Sequence, residues 1–173
     1  MEKPGVRQKD LPYPRTDHPL RCVSERAAAD ASGAAGTGGQ FVGDEHEADG
    51  RQVLIRSHGV SPDVLDDLRE RGCTVLDLTC PFVDMLHRIV AEGTADGTPV
   101  IMVGEREHPE VKGTCGWAKG DVYVVLNPEE AAELPMLPKA IAAAQTTFPP
   151  DRWEAIVQVL RQRVTELQEH NTI

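Results

Sequence analysis

From residue 52 onward, short apolar runs alternate with segments in which apolar residues recur at helical spacing. The apolar runs predict five strands, at residues 53–55, 74–77, 99–103, 121–126 and 140–144. The helical spacing predicts helices that begin at residues 62, 81, 128 and 151, the last with Val164 on its apolar face. Residues 105–113 are predicted as a loop. Strand and helix alternation with short links predicts an α/β fold, with a parallel sheet and helices on both of its faces.

Residues 1–50 differ in composition from the α/β domain predicted at residues 51–173. Four prolines fall within the first 19 residues, and residues 27–39 are almost entirely Ala, Gly, Ser and Thr. Large apolar side chains are too few to offset the entropy cost of ordering such a segment. We therefore predict a mostly disordered segment with a helical piece near residues 23–31. Its His18, Cys22 and His46 are interpreted as solvated side chains.

Residues 77–82, with the sequence DLTCPF, place Cys80 where a buried strand ends and a helix begins. Pro81 suits the first helical position because its missing N–H would be unpaired there in any case. A thiol at this position faces the unpaired N–H groups and the positive end of the helix dipole. Both favour the thiolate, which is the form that attacks electrophiles and binds metals. Free cysteines are also common as inert packing, so position alone leaves both roles open.

Polar side chains follow four of the predicted strands at their carboxyl ends, where parallel α/β sheets bind their ligands. They are Ser57 and His58, Thr79 and Cys80, His108 and Glu110, and Gln145 and Thr146. Because four groups share this position, we predict a binding site in which they converge on one edge of one sheet.

The residue types at that edge suit a small anionic, phosphorylated ligand. A histidine can donate to anionic oxygens when charged or shuttle protons near neutral pH, and Gly59 lets the backbone beside His58 approach a ligand closely. The carboxyl group of Glu110 can donate a proton in a desolvated site, and the hydroxyl of Thr146 can both accept and donate. A histidine and a glutamate on one loop, such as His108 and Glu110, can equally form a surface pair.

Charge and motif content exclude several classes of function. The formal net charge of -10 argues against nucleic-acid binding, which needs a basic face. No apolar run approaches the roughly 20 residues of a membrane helix, and the N-terminus lacks the features of a signal peptide. We therefore expect a cytoplasmic protein with its four cysteines reduced. There is no nucleotide-binding glycine motif. Cys73 and Cys115 are interpreted as structural, and His87 as a surface or core-edge residue.

Four segments together resemble the 4-hydroxy-3-methylbut-2-enyl diphosphate reductase family. They are IRSHGV at 55–60, DLTCPFV at 77–83, HPEVKG at 108–113 and AQTTF at 144–148, and the similarity runs from about residue 48 to residue 173. The resemblance implies the middle domain of a trefoil of three α/β domains, with a [4Fe–4S] cluster held by three cysteines at its centre. Members reductively remove the hydroxyl of (E)-4-hydroxy-3-methylbut-2-enyl diphosphate in the non-mevalonate pathway, giving isopentenyl and dimethylallyl diphosphate. Their electrons come from ferredoxin or flavodoxin.

Carried over by motif, the resemblance also implies roles for six residues. Cys80 is implied as a cluster ligand. Substrate binding is implied for His58, His108, Gln145 and Thr146. Catalysis is implied for Glu110 with His108, and Glu110 delivers protons to the leaving hydroxyl.

The sequence also departs from the family. Nothing matches the family's first cysteine segment, of the type GFCxGV, or its early histidine, and Cys22 lacks the context of that first cysteine. One thiolate cannot hold a cubane cluster that needs cysteine ligands at several corners, so we expect a truncated, inactive fragment. One alternative is a non-catalytic diphosphate-binding module that lacks the cluster. Another is a thiol enzyme that uses Cys80 with His108 as its base.

Overall fold

The computed structural model describes the short strands β1 (Arg21–Val23) and β2 (Gln40–Val42) and all residues from 52 to 173. Within the longer stretch the strands are β3 (Gln52–Ile55), β4 (Thr74–Asp77), β5 (Val100–Val103), β6 (Val122–Val125), β7 (Leu137–Ala144) and β8 (Val164–His170). The helices are α1 (Pro62–Glu70), α2 (Pro81–Gly93), α3 (Pro109–Cys115), α4 (Pro128–Glu133) and α5 (Pro150–Arg163).

The described strands form two four-stranded sheets in which every strand pair is parallel. The strand order is β2-β1-β3-β4 in the first sheet and β6-β5-β7-β8 in the second. The predicted α/β fold with parallel strands is confirmed, although the strands do not share one sheet. The difference in burial between β4 and β5 explains why the strands form two sheets. Thr74 and Asp77 at the two ends of β4 are exposed and suit an edge, whereas β5 is buried throughout and requires a neighbour on each side.

Helices cover both faces of the second sheet. Because side chains alternate along a strand, Ile101 and Val103 of β5 point to one face and Val100 and Met102 to the other. The first pair packs in a core with four buried residues of α5, namely Trp153, Ile156, Val157 and Leu160. The second pair packs in a core with Leu86 and Val90 of α2 and Val111 of α3. This arrangement agrees with the near-continuous apolar sequence of β5.

Helix α1 covers the first sheet. Its buried Leu65 and Leu68 pack against Val53 and Ile55 of β3. The chain leaves the helix through Gly72, which has a positive φ of 71° as expected for a helix-ending glycine.

The predicted loop at 105–113 is wrong from residue 109 onward, where helix α3 begins. His108 caps this helix and Pro109 occupies its first turn. The same proline signal correctly predicted α2 from Pro81. The proline at α3 was not interpreted as a helix start because the helix has only seven residues. Two of them, Gly113 and Thr114, are poor helix formers.

Strand β8 follows α5 directly, where the sequence predicted more helix. Val164 is extended, with φ -122° and ψ 126°, and pairs with Leu137 at the start of β7. Val164 and Thr165 are β-branched, which favours a strand once a partner is available. Val164 is therefore buried in the sheet instead of on the helix face, and β7 is longer than the predicted strand at 140–144.

Strands β1 and β2 fall within residues 1–50, where no strand was predicted. Strand β1 lies between β2 and β3 in the first sheet. The predicted helical piece near residues 23–31 begins at the last residue of β1. Its other residues, His18, His46 and the side chain of Cys22 lie outside the described residues. Among the helices that the structure describes, none has the length and apolar character needed to cross a membrane.

Candidate functional site

Side chains from both sheets meet at the predicted site. His58 follows β3 of the first sheet, and His108 follows β5 of the second. Their imidazole rings lie edge to face, with the ring centroids 5.2 Å apart. The two histidines therefore come together across two sheets rather than along one edge of a single sheet.

Cys80 lies at the start of α2, as the sequence predicted. It occupies the N-cap position, its carbonyl accepts from the N–H of Asp84 at 2.9 Å, and Pro81 takes the first helical turn. The N–H of Cys80 donates to the carbonyl oxygen of Ser57 at 2.9 Å. Because Ser57 precedes His58, this bond ties the thiol to the loop that carries the first imidazole.

His108 and Glu110 are linked through the first turn of α3. The Nδ1 atom of His108 accepts from the N–H of Glu110 at 3.2 Å. Because Nδ1 is the acceptor, the hydrogen of the neutral ring is on Nε2, where it can be donated to an anionic ligand.

Glu110 of helix α3 and Thr146, which follows β7, form a hydrogen-bonded pair. Glu110 is only 1% exposed. Its Oε1 accepts from the N–H of Thr146 at 2.6 Å, and its Oε2 accepts from the Thr146 hydroxyl at 2.9 Å. Glu110, the predicted proton donor, and the Thr146 hydroxyl, which is predicted to bind the substrate, are therefore hydrogen-bonded to each other.

Gln145 connects the loop after β5, which leads to Glu110, with the loop after β7, which carries Thr146. Its Oε1 accepts from the N–H of Glu105 at 3.1 Å, and its Nε2 donates to the hydroxyl of Thr147 at 3.0 Å. The side chain thus holds the loop after β5 against the loop after β7. The predicted contact of Gln145 with a substrate stays a prediction.

His87 is buried, in contrast to its predicted place at the surface or the core edge. It is 3% exposed, and its ring stacks on Trp117 with centroids 5.2 Å apart and planes 18° apart. The sequence carried a signal for this, because residue 87 falls four positions after Val83 and three before Val90, both buried on the same helix face. Burial lowers the pKa of His87 from 6.5 to about 4, against the smaller opposite effects of Asp84 and Asp77.

The lowered pKa of His87 predicts a loss of stability in mild acid. Between pH 6.5 and about 4 the unfolded chain binds a proton at this residue that the folded chain does not. The contribution of neutral His87 to the free energy of unfolding is therefore complete above pH 6.5 and is lost as the pH falls toward 4. We expect the free energy of unfolding to fall by about 2 kcal/mol between pH 7 and pH 5 from this group. Urea denaturation at both pH values tests this, and a His87→Phe variant should lack that part of the decrease.

The other described thiols lie in packed surroundings. Cys73 packs beside the core under α1, and Cys115 packs beside the core between α2, α3 and the second sheet. Burial raises the pKa of Cys115 to about 11, which keeps that thiol protonated at neutral pH. In the stretch from residue 52 to residue 173, no three His, Cys, Asp or Glu side chains are grouped so that they could hold a metal ion.

The site geometry and four motifs point to a family, and the family model described as "LytB protein" matches residues 32–173. The chain belongs to the LytB family. This membership confirms the resemblance indicated by the four sequence segments, because LytB relatives carry the name 4-hydroxy-3-methylbut-2-enyl diphosphate reductase.

The similarity to these relatives covers about half of each relative. The reductase of Thermoanaerobacter sp. (strain X514) is 45% identical over 139 residues, which are 78% of this chain and 48% of the relative. The reductase of Geobacter sulfurreducens is 40% identical over 121 residues, which are 70% of this chain and 43% of the relative. This LytB chain therefore spans about half the length of the curated relatives it matches.

Solved structures show the same fold. The structure titled (E)-4-hydroxy-3-methyl-but-2-enyl diphosphate reductase, the terminal enzyme of the non-mevalonate pathway, matches with a TM-score of 0.78 and 30% identity. The match covers 92% of this chain and 58% of that one. A reductase from Plasmodium falciparum gives a TM-score of 0.80 at 24% identity, over 90% of this chain and 51% of that one.

The described LytB residues do not by themselves fit a [4Fe–4S] cluster. Such a cluster is held by several thiolates, and the resemblance implied three. Of the three thiols described, Cys80 lies at the site, while Cys73 and Cys115 pack beside cores. This donor set provides one thiolate ligand.

Proposed function

We propose that this LytB chain supplies the diphosphate-binding and proton-delivering part of a 4-hydroxy-3-methylbut-2-enyl diphosphate reductase. The observation that carries the proposal is the contact of the His58 and His108 rings next to buried Glu110 and its hydrogen bonds to Thr146. The names of the relatives support the substrate. In the complete reaction, two electrons and two protons convert the substrate to isopentenyl or dimethylallyl diphosphate, and its hydroxyl leaves as water.

The two histidines bind the diphosphate. The Nε2–H of His108 faces away from the bond that fixes its Nδ1, and His58 lies against the same ring. The N–H of a neutral imidazole forms charge-assisted hydrogen bonds with the ionised oxygens of a phosphate group, which contribute about 1.5–3 kcal/mol each. A pair of imidazoles can hold two oxygens of one diphosphate and fix its orientation.

Glu110 and Thr146 deliver the proton to the leaving hydroxyl. Oε2 of Glu110 lies 2.9 Å from the hydroxyl oxygen of Thr146, so a proton can pass from protonated Glu110 to that oxygen once the hydroxyl hydrogen turns from Glu110 toward the substrate. Protonated Glu110 passes its proton to the Thr146 oxygen while Thr146 passes its own to the substrate oxygen. Burial keeps bulk water away from this transfer.

The reducing electrons require more than the described residues. In a complete site an iron–sulfur cluster would supply these electrons, with ferredoxin or flavodoxin as their source, and Cys80 would be one of its thiolate ligands. Because the described part brings one thiol to the site, we propose that the isolated chain binds diphosphate and does not turn the substrate over. This makes a non-catalytic diphosphate-binding module the second candidate function.

Calorimetric titration with inorganic diphosphate tests the binding site. We expect His58→Ala and His108→Ala each to weaken binding by about ten- to a hundredfold, because each removes a charge-assisted hydrogen bond. Lys139→Ala is the matched control, since it removes a positive charge that pairs with Asp96 near the start of β7. Equal affinities for the wild type and both histidine variants would contradict the assignment.

Anaerobic reconstitution with iron and sulfide tests the proposed inactivity of the isolated chain. We expect no stable [4Fe–4S] absorption and no turnover of the diphosphate substrate by the isolated chain. A stable cluster with turnover would show a competent reductase and refute the proposed inactivity. Binding of diphosphate without iron would favour the binding module.

A further inference from the structure

His87 lies between the two halves of the candidate site. It is in the middle of α2, the helix that leads from β4 of the first sheet to β5 of the second. Its ring lies directly against Gly59, because a Cβ atom built on that glycine would be 2.5 Å from Cε1 and 3.3 Å from Nε2 of His87. Gly59 is the residue after His58. The His87 ring therefore supports the loop that presents the first imidazole.

The His87 ring also contacts the segment that presents the second imidazole. The ring stacks on Trp117, which follows α3. His108 caps the opposite end of that helix. The indole N–H of Trp117 also donates to the carbonyl oxygen of Val60 at 3.0 Å. His87 is thus packed between the loop after β3 and the segment after α3.

The chemistry of His87 suits a spacer better than a ligand. Its Nε2 is buried and has no hydrogen-bond partner among the described residues. The lowered pKa keeps the ring neutral at physiological pH, so it adds no charge that would attract the diphosphate away from His58 and His108. What remains is a flat ring that fits between a glycine backbone and an indole.

We propose that His87 is a positioning residue whose ring, held between Gly59 and Trp117, sets the separation of the His58 and His108 imidazoles. This inference rests on the proposed function, because the separation matters for binding diphosphate with both rings. Removal of the ring takes away the side chain that packs against Gly59 and leaves the bond from Trp117 to Val60 as the link described between the two segments, so His58 can shift relative to His108. A shift of about 1 Å takes a hydrogen bond out of range, and the loss of one charge-assisted bond to the diphosphate weakens binding by about tenfold or more.

The test compares variants at His87 with a control on the same helix. His87→Ala removes the ring, and His87→Phe keeps a flat aromatic ring on Trp117. Val90→Ala is the control, because Val90 is buried on α2 one turn later and is not among the nearest neighbours of Gly59. Each variant is measured for thermal stability, for inorganic diphosphate affinity by calorimetry, and for the nuclear Overhauser effect between the His58 and His108 rings.

We expect His87→Ala to bind inorganic diphosphate about tenfold or more weakly and to lose the Overhauser effect, while His87→Phe stays within about fivefold of the wild type. Val90→Ala should lose stability and keep both the affinity and the Overhauser effect. Wild-type affinity and an intact Overhauser effect in His87→Ala would overturn the inference. So would an equal loss of affinity in Val90→Ala.

Two further results keep the test decisive. If His87→Ala does not fold, Trp117→Phe replaces it in the test. The smaller ring should loosen the stacking contact with His87 and weaken diphosphate binding. Unchanged binding would contradict the proposal. If the wild type itself does not bind diphosphate, the proposed function fails, and the Overhauser effect still decides whether His87 sets the ring separation.

Discussion

Replacement of Gly59 with alanine is expected to lower the free energy of unfolding by about 3 kcal/mol. Gly59 has a positive φ of 67°, a conformation that costs a residue with a side chain about 1–2 kcal/mol. The new Cβ would also lie 2.5 Å from Cε1 of His87 and 3.1 Å from the methyl carbon of Thr79. Both neighbours are packed, so the added methyl group must displace one of them. Urea denaturation of the variant measures the loss.

Gly72→Ala separates the two causes of this loss. Gly72 has nearly the same φ, 71°, but a Cβ there would meet no atom within 4 Å. That variant should lose only the conformational part, about 1 kcal/mol. In the double variant of Gly59→Ala with His87→Ala, the steric part should largely disappear, since the ring that the methyl group would meet is absent. Equal losses for Gly59→Ala and Gly72→Ala would contradict the close contact between the loop and His87.

The sequence predicted those elements whose signals are local. Proline in the first helical turn located α1, α2 and α4, and Gly72 located the end of α1. The buried strand β5 was predictable because all of its residues are apolar. Strand β8 was not, because the extended conformation of Val164 depends on its pairing with β7 far back in the chain. Local sequence does not contain that information.

The pairing of side chains in the site was not predictable for the same reason. Glu110 and Thr146 are 36 residues apart, and they meet because β5 and β7 are neighbours, with Val103 opposite Ala144 at the strand ends. The order of strands in a sheet is set by packing of whole elements. The sequence therefore predicted that each side chain follows a carboxyl end, and it did not predict two sheets or the contact of His58 with His108.

Replacement of Glu110 with alanine is the second substitution with a large expected effect, also about 3 kcal/mol in the free energy of unfolding. The change removes the acceptors of the N–H and the hydroxyl of half-buried Thr146, and it vacates the volume of a side chain that is only 1% exposed. An unpaired buried polar group costs about 1–3 kcal/mol, and the vacated volume adds to this loss. Thermal and urea denaturation test the expectation.

Glu130→Ala is the matched control for Glu110→Ala. Glu130 also accepts two hydrogen bonds, from the N–H of Leu126 and the amide of Asn127, but it is only half-buried. Water can replace its bonds, so its loss should cost about 1 kcal/mol. Glu110→Gln should fall between the two alanine variants, because its amide keeps one acceptor and turns an N–H toward a donor of Thr146. If Glu110→Ala cost no more than Glu130→Ala, the Glu110–Thr146 pair would not be a dry, preorganised unit, and the route proposed for the proton would lose its structural basis.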